Sequence, residues 1–361
     1  MLHLLVDSAC EPTIDERVTI IFKSCILFRF KDVYLQITTY DKNKMKVTDC
    51  INSDGKTVFS IEVLPPIKGT GLTKLFDSID RINEFGPKYI NITTHHSEYV
   101  YTDAGNGMFK RTAVRRRPGT VAVATAIKHR YNVPVVPHIL CNGFTPEETE
   151  YVLIDLQLSG INNLLLLRGD KAKDEKTFTP TLGGYDHTVQ LQEQVNRYNE
   201  GLFIDGTVMR ERGEPFSYGV ACYPEKHIEA PNLESDLYWL KKKADAGAEY
   251  AVTQMFFDNG KYFEFVRMAR EMGINIPIIP GIKPIHRLSQ INVLPKTFNT
   301  DLPGELTAEL LKCKSDADAA VVGCEWCVKQ CRELMERGVT NLHFYTVNAT
   351  ESVIKTLAAL Y

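Results

Sequence analysis

Short β-branched or aliphatic runs alternate with amphipathic helical stretches from residue 57 onward, and this alternation limits the possible folds more than any other feature. Such an alternation predicts βα units and a parallel sheet. Eight strands are predicted, at residues 57–63, 88–93, 133–139, 162–167, 217–222, 250–255, 275–281 and 341–347. The predicted helices between them include residues 72–84, 120–131, 146–158, 233–246, 261–272 and 308–337.

Eight strands with intervening helices over about 300 residues predict the α/β class and a (β/α)8 TIM barrel. The main rival is an open doubly wound sheet, which usually has fewer strands and a glycine-rich first turn. The chain contains neither G-x-G-x-x-G nor the phosphate loop G-x-x-x-x-G-K-[ST]. No phosphate-binding fingerprint therefore supports the rival fold.

Composition and charge exclude several classes of function. Lys plus Arg total 42 and Asp plus Glu total 45, so the net charge is −3 and no overall basic field attracts nucleic acid. No apolar stretch reaches the roughly 18 to 20 residues that span a bilayer, and the first residues lack a secretory signal pattern. Nine cysteines, an odd number, fit a reducing compartment better than a disulfide framework. We therefore expect a cytoplasmic protein.

Residues 1–44 differ from the rest of the chain in composition and in hydrophobic periodicity. They contain no glycine, and residues 20–30 alternate poorly at either helical or strand period. Two interpretations stay open. The segment is either a short N-terminal extension ahead of a physiological start at Met45, or an extra hairpin or helix at the edge of the domain. In both cases residues 45–361 are expected to form the barrel.

Functional side chains of such barrels lie at the carboxyl ends of the strands. Glu62 is a lone carboxylate in an apolar run just before two prolines. Desolvation should raise the pKa of this carboxyl and make it a candidate general acid, although a structural carboxylate that caps a backbone amide is an equally good interpretation. Strand four changes from four leucines to Arg168, Gly169 and Asp170, which places a cation and an anion at one point of the rim.

Histidines follow strands two, three and five, at His95, His96, His138 and His227. No H-E-x-x-H motif or compact Cys/His set accompanies these histidines. We therefore expect them to hydrogen-bond a ligand rather than to coordinate a metal. Gln254, at the end of strand six, has an amide that both donates and accepts at the edge of a heterocycle.

Seven short motifs stand at or near the predicted strand ends in one order along the chain. They are Phe59-x-x-Glu62-x-x-Pro65-Pro66, Pro137-His138, Arg168-Gly169-Asp170, Tyr223-Pro224-Glu225-x-His227-x-Glu229-Ala230, Asp245-Ala246-Gly247-Ala248, Thr253-Gln254 and His343-Phe344-Tyr345-Thr346. Together they resemble the methylenetetrahydrofolate reductase family, in its bacterial form with the catalytic barrel only. The resemblance implies an FAD-binding barrel that passes a hydride from NADH or NADPH through FAD to 5,10-methylenetetrahydrofolate. The implied product is 5-methyltetrahydrofolate, which feeds methionine synthesis.

The resemblance also implies roles for individual residues. Glu62 matches the general acid of the family, and Asp170 matches a catalytic carboxylate near both flavin and pterin. Protonation by Glu62 would open the methylene bridge to a 5-iminium ion, which the charge of Asp170 would stabilise. Besides these two, the implied substrate-binding residues are Gln254, Gln290 and Tyr345.

The positions that match FAD contacts of the family lie on or after predicted strands two to five. They are Thr93, His138, Arg168, Gly169, Asp170, Tyr185, Ala221, Tyr223, His227, Ala230, Asp236, Lys242 and Lys243. Lys242 and Lys243 suit a diphosphate because two cations neutralise it, and a solvated helix face is the other interpretation. The sequence departs from the commonest bacterial pattern at Thr94, His95, His96, Asp186, Trp239 and Ala349.

Two other functions stay open. One is a flavin-free folate barrel that transfers a one-carbon group, which needs Glu62, Asp170 and Gln254 but not the FAD positions. The other is a non-catalytic family member that acts as a binding subunit. The family further implies a homo-oligomer, with folate and a nicotinamide nucleotide as its small-molecule partners. The chain ends 16 residues after Tyr345, so we expect no C-terminal domain that senses S-adenosylmethionine.

Two clusters allow more than one interpretation. Four arginines in a predicted loop suit a folate glutamate tail or a nucleotide phosphate, but a solvated basic loop is favoured. These are Arg111, Arg115, Arg116 and Arg117. Four cysteines, three of which share one helix face, are better explained as buried small hydrophobes than as a metal site. These are Cys313, Cys324, Cys327 and Cys331.

Overall fold

Parallel strands form the centre of the structure, a computed structural model that describes residues 45–51, 56–171, 175 and 177–361. The strands are β1 (Val58–Val63), β2 (Ile90–Ile92), β3 (Glu98–Gly105), β4 (Met108–Val114), β5 (Val135–Leu140), β6 (Asn163–Leu167), β7 (Ser217–Cys222), β8 (Tyr250–Thr253), β9 (Ile278–Ile279), β10 (Gly281–Ile282) and β11 (Asn341–Tyr345). Nine of them pair in the order β10-β11-β1-β2-β5-β6-β7-β8-β9, and β3 pairs only with β4. The predicted extension, residues 1–44, lies outside the described residues and stays a prediction.

The sheet closes because β9 and β10 are two halves of one strand, interrupted at Pro280. β9 pairs with β8, and β10 pairs with β11. Pro280 has no N–H to donate, but its carbonyl accepts a hydrogen bond of 3.0 Å from the backbone N–H of His343. The predicted (β/α)8 TIM barrel is therefore confirmed, with its seventh strand divided by a proline.

Helices lie between the strands and cover the barrel. They are α1 (Val47–Ile51), α2 (Thr73–Asn83), α3 (Thr120–Tyr131), α4 (Pro146–Leu158), α5 (Thr188–Asn199), α6 (Leu233–Asp245), α7 (Asn259–Glu271), α8 (Gln290–Phe298), α9 (Gly304–Lys312), α10 (Asp316–Glu336) and α11 (Thr350–Leu360). The prediction of one helix over 308–337 is wrong. Ser315 and Asp318 form a capping box, which begins α10 separately from α9.

Apolar side chains that point outward from the strands pack against the inner faces of the helices. Ile61, Leu166 and Phe344 from three strands belong to the same buried cluster as Ile79 of α2 and Leu240 of α6. Burial of this ring of side chains, at about 1.5 to 3 kcal/mol each, is the main force that holds the helices on the barrel.

The short helix α1 contributes to a second cluster, which includes side chains from four barrel strands. Val47, Cys50 and Ile51 of this helix are buried against Tyr89 and Tyr250, among others. The backbone N–H of Val47 donates to the side chain of Asn163, at the first residue of β6, over 3.1 Å. Residues 45–51 are therefore part of the barrel, at the amino ends of its strands.

The antiparallel hairpin of β3 and β4 was not predicted. Its strands are exposed along almost their whole length and flank a two-residue turn at Asn106 and Gly107, both with positive φ. This Asn-Gly dipeptide is a strong hairpin signal in a sequence. Within the part of the chain that the structure describes, no helix is both long and apolar enough to cross a membrane.

Candidate active site

A cleft of about 880 Å³ lies at the carboxyl ends of the barrel strands. Each of the eight strands, or the residue directly after it, contributes to the lining, from Glu62 on β1 to Tyr345 on β11. The segment 187–189 and helix α8 add further walls. This is the end of the barrel at which enzymes of this architecture place their active sites.

Most of the residues predicted from the sequence line this one cleft. They are Glu62, Thr93, His138, Arg168, Gly169, Asp170, Ala221, Tyr223, His227, Ala230, Asp236, Lys243, Gln254, Gln290 and Tyr345. Tyr185 and Lys242 are not among the lining residues. Tyr185 is half-buried against the hydrophobic cluster around the barrel, and Lys242 is exposed on α6 with its ammonium 5.6 Å from the centre of the Tyr238 ring.

Glu62 occupies the deepest polar position of the cleft, with a side chain that is 13% exposed. Its Oε2 lies 3.7 Å from Nε2 of His138 and 3.8 Å from Nε2 of His343. The Glu62 carbonyl accepts hydrogen bonds from both the N–H and the hydroxyl of Thr346, which fixes the backbone at this point. The carboxylate is therefore held between two imidazoles that come from strands on either side of β1.

The expectation that the pKa of Glu62 is raised is wrong. Burial does raise this pKa, but the close approach of His343, together with the charges of His138 and Lys283, outweighs burial, so the pKa lies below its ordinary value. These partners come from three strands distant in sequence, which the local apolar run could not indicate. At neutral pH the carboxyl in the ligand-free cleft is ionised.

Lys283 is a site residue that the sequence reasoning missed. It follows β10 directly, lines the cleft, and donates from Nζ to the carbonyl of Val347 over 3.0 Å. Burial lowers its pKa to about 8, even though the charge of Glu62 acts in the opposite direction. A lysine directly after the apolar end of a barrel strand was the signal that could have revealed it.

Arg168, Gly169 and Asp170 form the rim beyond β6. The guanidinium of Arg168 pairs with Glu229 and lies 4.5 Å from the centre of the Phe178 ring. Gly169 has φ +87°, and a Cβ there would lie 2.9 Å from Cβ of Asn142. Only glycine fits this left-handed turn, which brings bare backbone to the cleft beside a carboxylate.

Beyond β7, a cation and an anion face the same part of the cleft. Lys243 is buried and donates to the carbonyl of Ala221 over 2.5 Å, and burial lowers its pKa. The carboxylate of Asp236 accepts from the N–H of His227 over 2.6 Å, and burial raises its pKa. Arg168 and Lys243 both line the cleft, and the charge of Arg168 also lowers the pKa of Lys243.

Three further residues predicted to bind substrate come from the end of β8, the start of α8 and the end of β11. The amide oxygen of Gln254 accepts from the N–H of Met255 over 2.9 Å, and that of Gln290 accepts from the N–H groups of His286 and Arg287. Both amides are thereby oriented through their oxygens. The hydroxyl of Tyr345 donates to a backbone carbonyl over 2.6 Å, so this side chain is held in place at the cleft wall.

The two ambiguous clusters lie outside the cleft. Arg111 stacks on Tyr99 in the hairpin at 3.9 Å, and Arg116 pairs with Glu98 over 2.6 Å. Cys327 and Cys331 are buried in α10, where apolar neighbours surround them. Among the residues with a described structure, no group of His, Cys, Asp or Glu side chains has the arrangement of a metal site.

The sequence was then compared with known protein families. A family model described as methylenetetrahydrofolate reductase matches residues 46–360. The chain belongs to the methylenetetrahydrofolate reductase family. Methylenetetrahydrofolate reductase (NADH) 1 of Arabidopsis thaliana is 32% identical over 329 residues, which cover 88% of this chain and 51% of the relative. The chain thus spans about half the length of the first plant relatives that it matches.

A bacterial methylenetetrahydrofolate reductase matches over most of its own length. The 5,10-methylenetetrahydrofolate reductase of Escherichia coli is 30% identical over 298 residues, which cover 82% of this chain and 88% of the relative. Among solved structures, a Clostridium thermocellum protein described as binding two copies of 5-methyl-5,6,7,8-tetrahydrofolic acid superposes with a TM-score of 0.53. It is 13% identical and covers 86% of this chain and 96% of its own, so it supports the barrel fold alone.

Proposed function

We propose that the protein reduces 5,10-methylenetetrahydrofolate to 5-methyltetrahydrofolate, with a nicotinamide dinucleotide as the electron donor and FAD as the carrier. The observation that supports this best is the convergence of Glu62, Asp170 and Gln254 in one cleft of a chain that belongs to the reductase family. Each has the chemistry that the folate half of the reaction needs: a proton donor, a fixed negative charge and an amide that pairs with a pterin edge.

The cleft fits FAD on the evidence of its own residues. Lys243 and Arg168 both line the cleft and supply two cations for a diphosphate, and Lys243 has only a backbone carbonyl as its described hydrogen-bond acceptor. Gly169 exposes backbone beside Asp170, where a flat ring system can approach closely. When bound, FAD accepts a hydride from the nicotinamide and passes it on to the folate.

The residues of the chain handle the proton and the charge. Glu62 delivers a proton to the folate amine nitrogen, the methylene bridge opens, and the resulting 5-iminium ion accepts the hydride. Asp170 stabilises that cation electrostatically. Gln254 orients the pterin through its amide NH2, which remains free once the oxygen binds the Met255 N–H. Because Glu62 is ionised in the ligand-free cleft, each turnover requires a proton to reach it first.

The proposal is tested by the visible absorption of the purified protein and by two half-reactions in a stopped-flow instrument. We expect a flavin band that NADH or NADPH bleaches and that methylenetetrahydrofolate restores. Glu62→Gln should keep the band and its bleaching but lose at least 100-fold in the folate half-reaction, because the amide cannot donate an acidic proton. Glu309→Gln, on the exposed face of α9, is the matched control and should behave as wild type.

Each alternative predicts a different result. A flavin-free one-carbon transferase would show no flavin band but would bind folate in the same cleft. A non-catalytic subunit would bind ligand without turnover. Full folate reduction by Glu62→Gln would show that the acid assignment is wrong. We also propose that the protein works in the cytoplasm, since an odd number of cysteines, nine, fits a reducing compartment better than a disulfide framework.

A further inference from the structure

A row of buried polar side chains extends from Glu62 into the interior of the barrel. Nε2 of His343 lies 3.8 Å from Oε2 of Glu62, and Nδ1 of the same ring lies 2.9 Å from Oγ of Ser60. His343 and Ser60 are both fully buried. Within the described structure, Nε2 of His343 has no hydrogen-bond partner, although it faces the carboxylate. One ring nitrogen is thus held in place, and the other points at the acid.

Ser60 can hold the imidazole in either of two tautomers. Its hydroxyl lies 2.9 Å from Nδ1 of His343 and 3.5 Å from the carbonyl oxygen of Leu342. If the hydroxyl donates to Nδ1, the ring proton is on Nε2 and faces an ionised Glu62. If the hydroxyl instead donates to the carbonyl of Leu342, the ring proton is on Nδ1 and is donated to Oγ of Ser60. Nε2 then accepts a hydrogen bond from a neutral Glu62. Rotation of the Ser60 hydroxyl therefore lets a neutral His343 ring pair with Glu62 in both its ionised and its neutral form.

The row of polar side chains continues beyond Ser60, further into the interior of the barrel. The hydroxyl of Tyr89 interacts with both Ser60 and Asn341. Yet the Tyr89 oxygen and both polar atoms of the Asn341 amide are buried without a hydrogen-bond partner among the described residues. Buried polar groups of this kind are normally satisfied by internal water. The interior of the barrel thus has the donors and acceptors that a route for protons requires.

The other titratable groups that face Glu62 lie toward the cleft. Nε2 of His138 donates to the amide oxygen of Asn91 over 3.3 Å, and burial lowers the pKa of the ring to about 4, so the ring is neutral at neutral pH. Lys283 and Tyr345 each donate to a backbone carbonyl, and His95 lies at the cleft rim. A bound flavin and folate would cover that side. His343 connects Glu62 to Ser60 and so to the polar groups in the interior of the barrel.

We propose that His343 and Ser60 are positioning residues that return a proton to Glu62 from within the barrel in each turnover. This rests on the proposed function, whose overall reaction consumes one proton with each hydride. The Nε2–H bond of His343 breaks as a Glu62 O–H bond forms. In the same concerted step Nδ1 takes the proton of the Ser60 hydroxyl and a water-borne proton restores that hydroxyl, so neither an imidazolate nor an alkoxide is formed. Nothing is oxidised or reduced, and the net change is one proton moved from water to Glu62.

Kinetics of Ser60→Ala and His343→Gln test the proposal, with Ser78→Ala and His129→Gln as controls on α2 and α3. Flavin reduction by NADH should be unchanged in both variants, whereas the folate half-reaction should slow at least 10-fold at pH 8. The deficit should shrink as the pH falls, because direct protonation of Glu62 then becomes faster. A purely structural defect would leave the ratio to wild type independent of pH, and that result would overturn the proposal.

A second measurement needs no folate activity. In the ligand-free protein with 15N-labelled histidine, the two ring nitrogens of His343 should exchange proton occupancy in step with the ionisation of Glu62. Glu62→Gln and Ser60→Ala should each abolish this coupled change. If the His343 signals ignore the state of Glu62, the proposal is wrong even if folate is reduced. If they follow it in a protein that does not reduce folate, the proposed function fails, but the coupling stands.

Discussion

Lys283 places a positive charge beside Glu62 in a buried position, where charges interact strongly. We predict that Lys283→Met raises the pKa of Glu62, because the cation no longer favours the ionised form. Infrared difference spectra of the carboxyl band across a pH titration, compared with Glu62→Gln, measure this change. Lys355→Met, on the exposed face of α11, should leave the titration as in wild type. An unchanged pKa in Lys283→Met would show that the lysine does not act on the acid.

For single residues, the position in the cleft could be predicted from the sequence, but the electrostatic surroundings could not. Glu62 and Asp170 could be placed in the cleft because each lies in a recognisable motif at or just beyond the end of an apolar strand. The direction of the Glu62 pKa could not be predicted, since it depends on His343 and Lys283, which are more than 200 residues away in the chain. Lys242 and Lys243 are adjacent in sequence, yet only Lys243 lines the cleft.

At the scale of elements, Glu225 joins two loops around the cleft. It follows β7, and its carboxylate accepts from the N–H of Asp301, ahead of α9, over 2.8 Å. Its other oxygen is buried without a partner among the residues described. Burial raises the pKa of Glu225 to about 7. The folded state therefore holds this proton over a pH range in which the unfolded chain has already released it.

We predict that Glu225→Gln removes a pH dependence of stability. A raised pKa in the folded state stabilises the protein fully below about pH 4.5, and this contribution is lost as the pH rises through about 7. The free energy of unfolding of the variant relative to wild type should thus increase between pH 5 and pH 8, by on the order of 2 kcal/mol. Urea unfolding at both pH values measures it, with Glu305→Gln on α9 as the control. Parallel curves for variant and wild type would contradict the prediction.

The barrel elements were predicted and the hairpin was missed, although its Asn106-Gly107 turn is a local signal, because the strands differ in burial. Barrel strands are buried on both faces and read as continuous apolar runs, which local sequence shows directly. The strands β3 and β4 are exposed on both faces, so no apolar run marks them. The division of the predicted helix 308–337 was likewise hidden, because it depends on the side-chain cap at Ser315 rather than on periodicity.

At the scale of the whole molecule, helix α1 closes the end of the barrel opposite the cleft. Val47, Cys50 and Ile51 are almost completely buried there. We predict that a chain beginning at Met45 unfolds at the same urea concentration as the full chain. A chain beginning at Lys56 should lose several kcal/mol of stability, since burial of three apolar side chains contributes about 1.5 to 3 kcal/mol each. Equal stability of the two truncated chains would show that α1 does not stabilise the barrel.

The isolation of the hairpin has a consequence for how this fold changes over evolution. Glu98 and Val114 pair with each other at its base, so the intervening segment leaves and returns at neighbouring points. Loop-closure entropy grows slowly, by about 0.6 kcal/mol for each doubling of length, so a longer or shorter segment there costs the barrel little. Insertions and deletions can therefore accumulate at this point of the gene while the cleft and its acid stay intact.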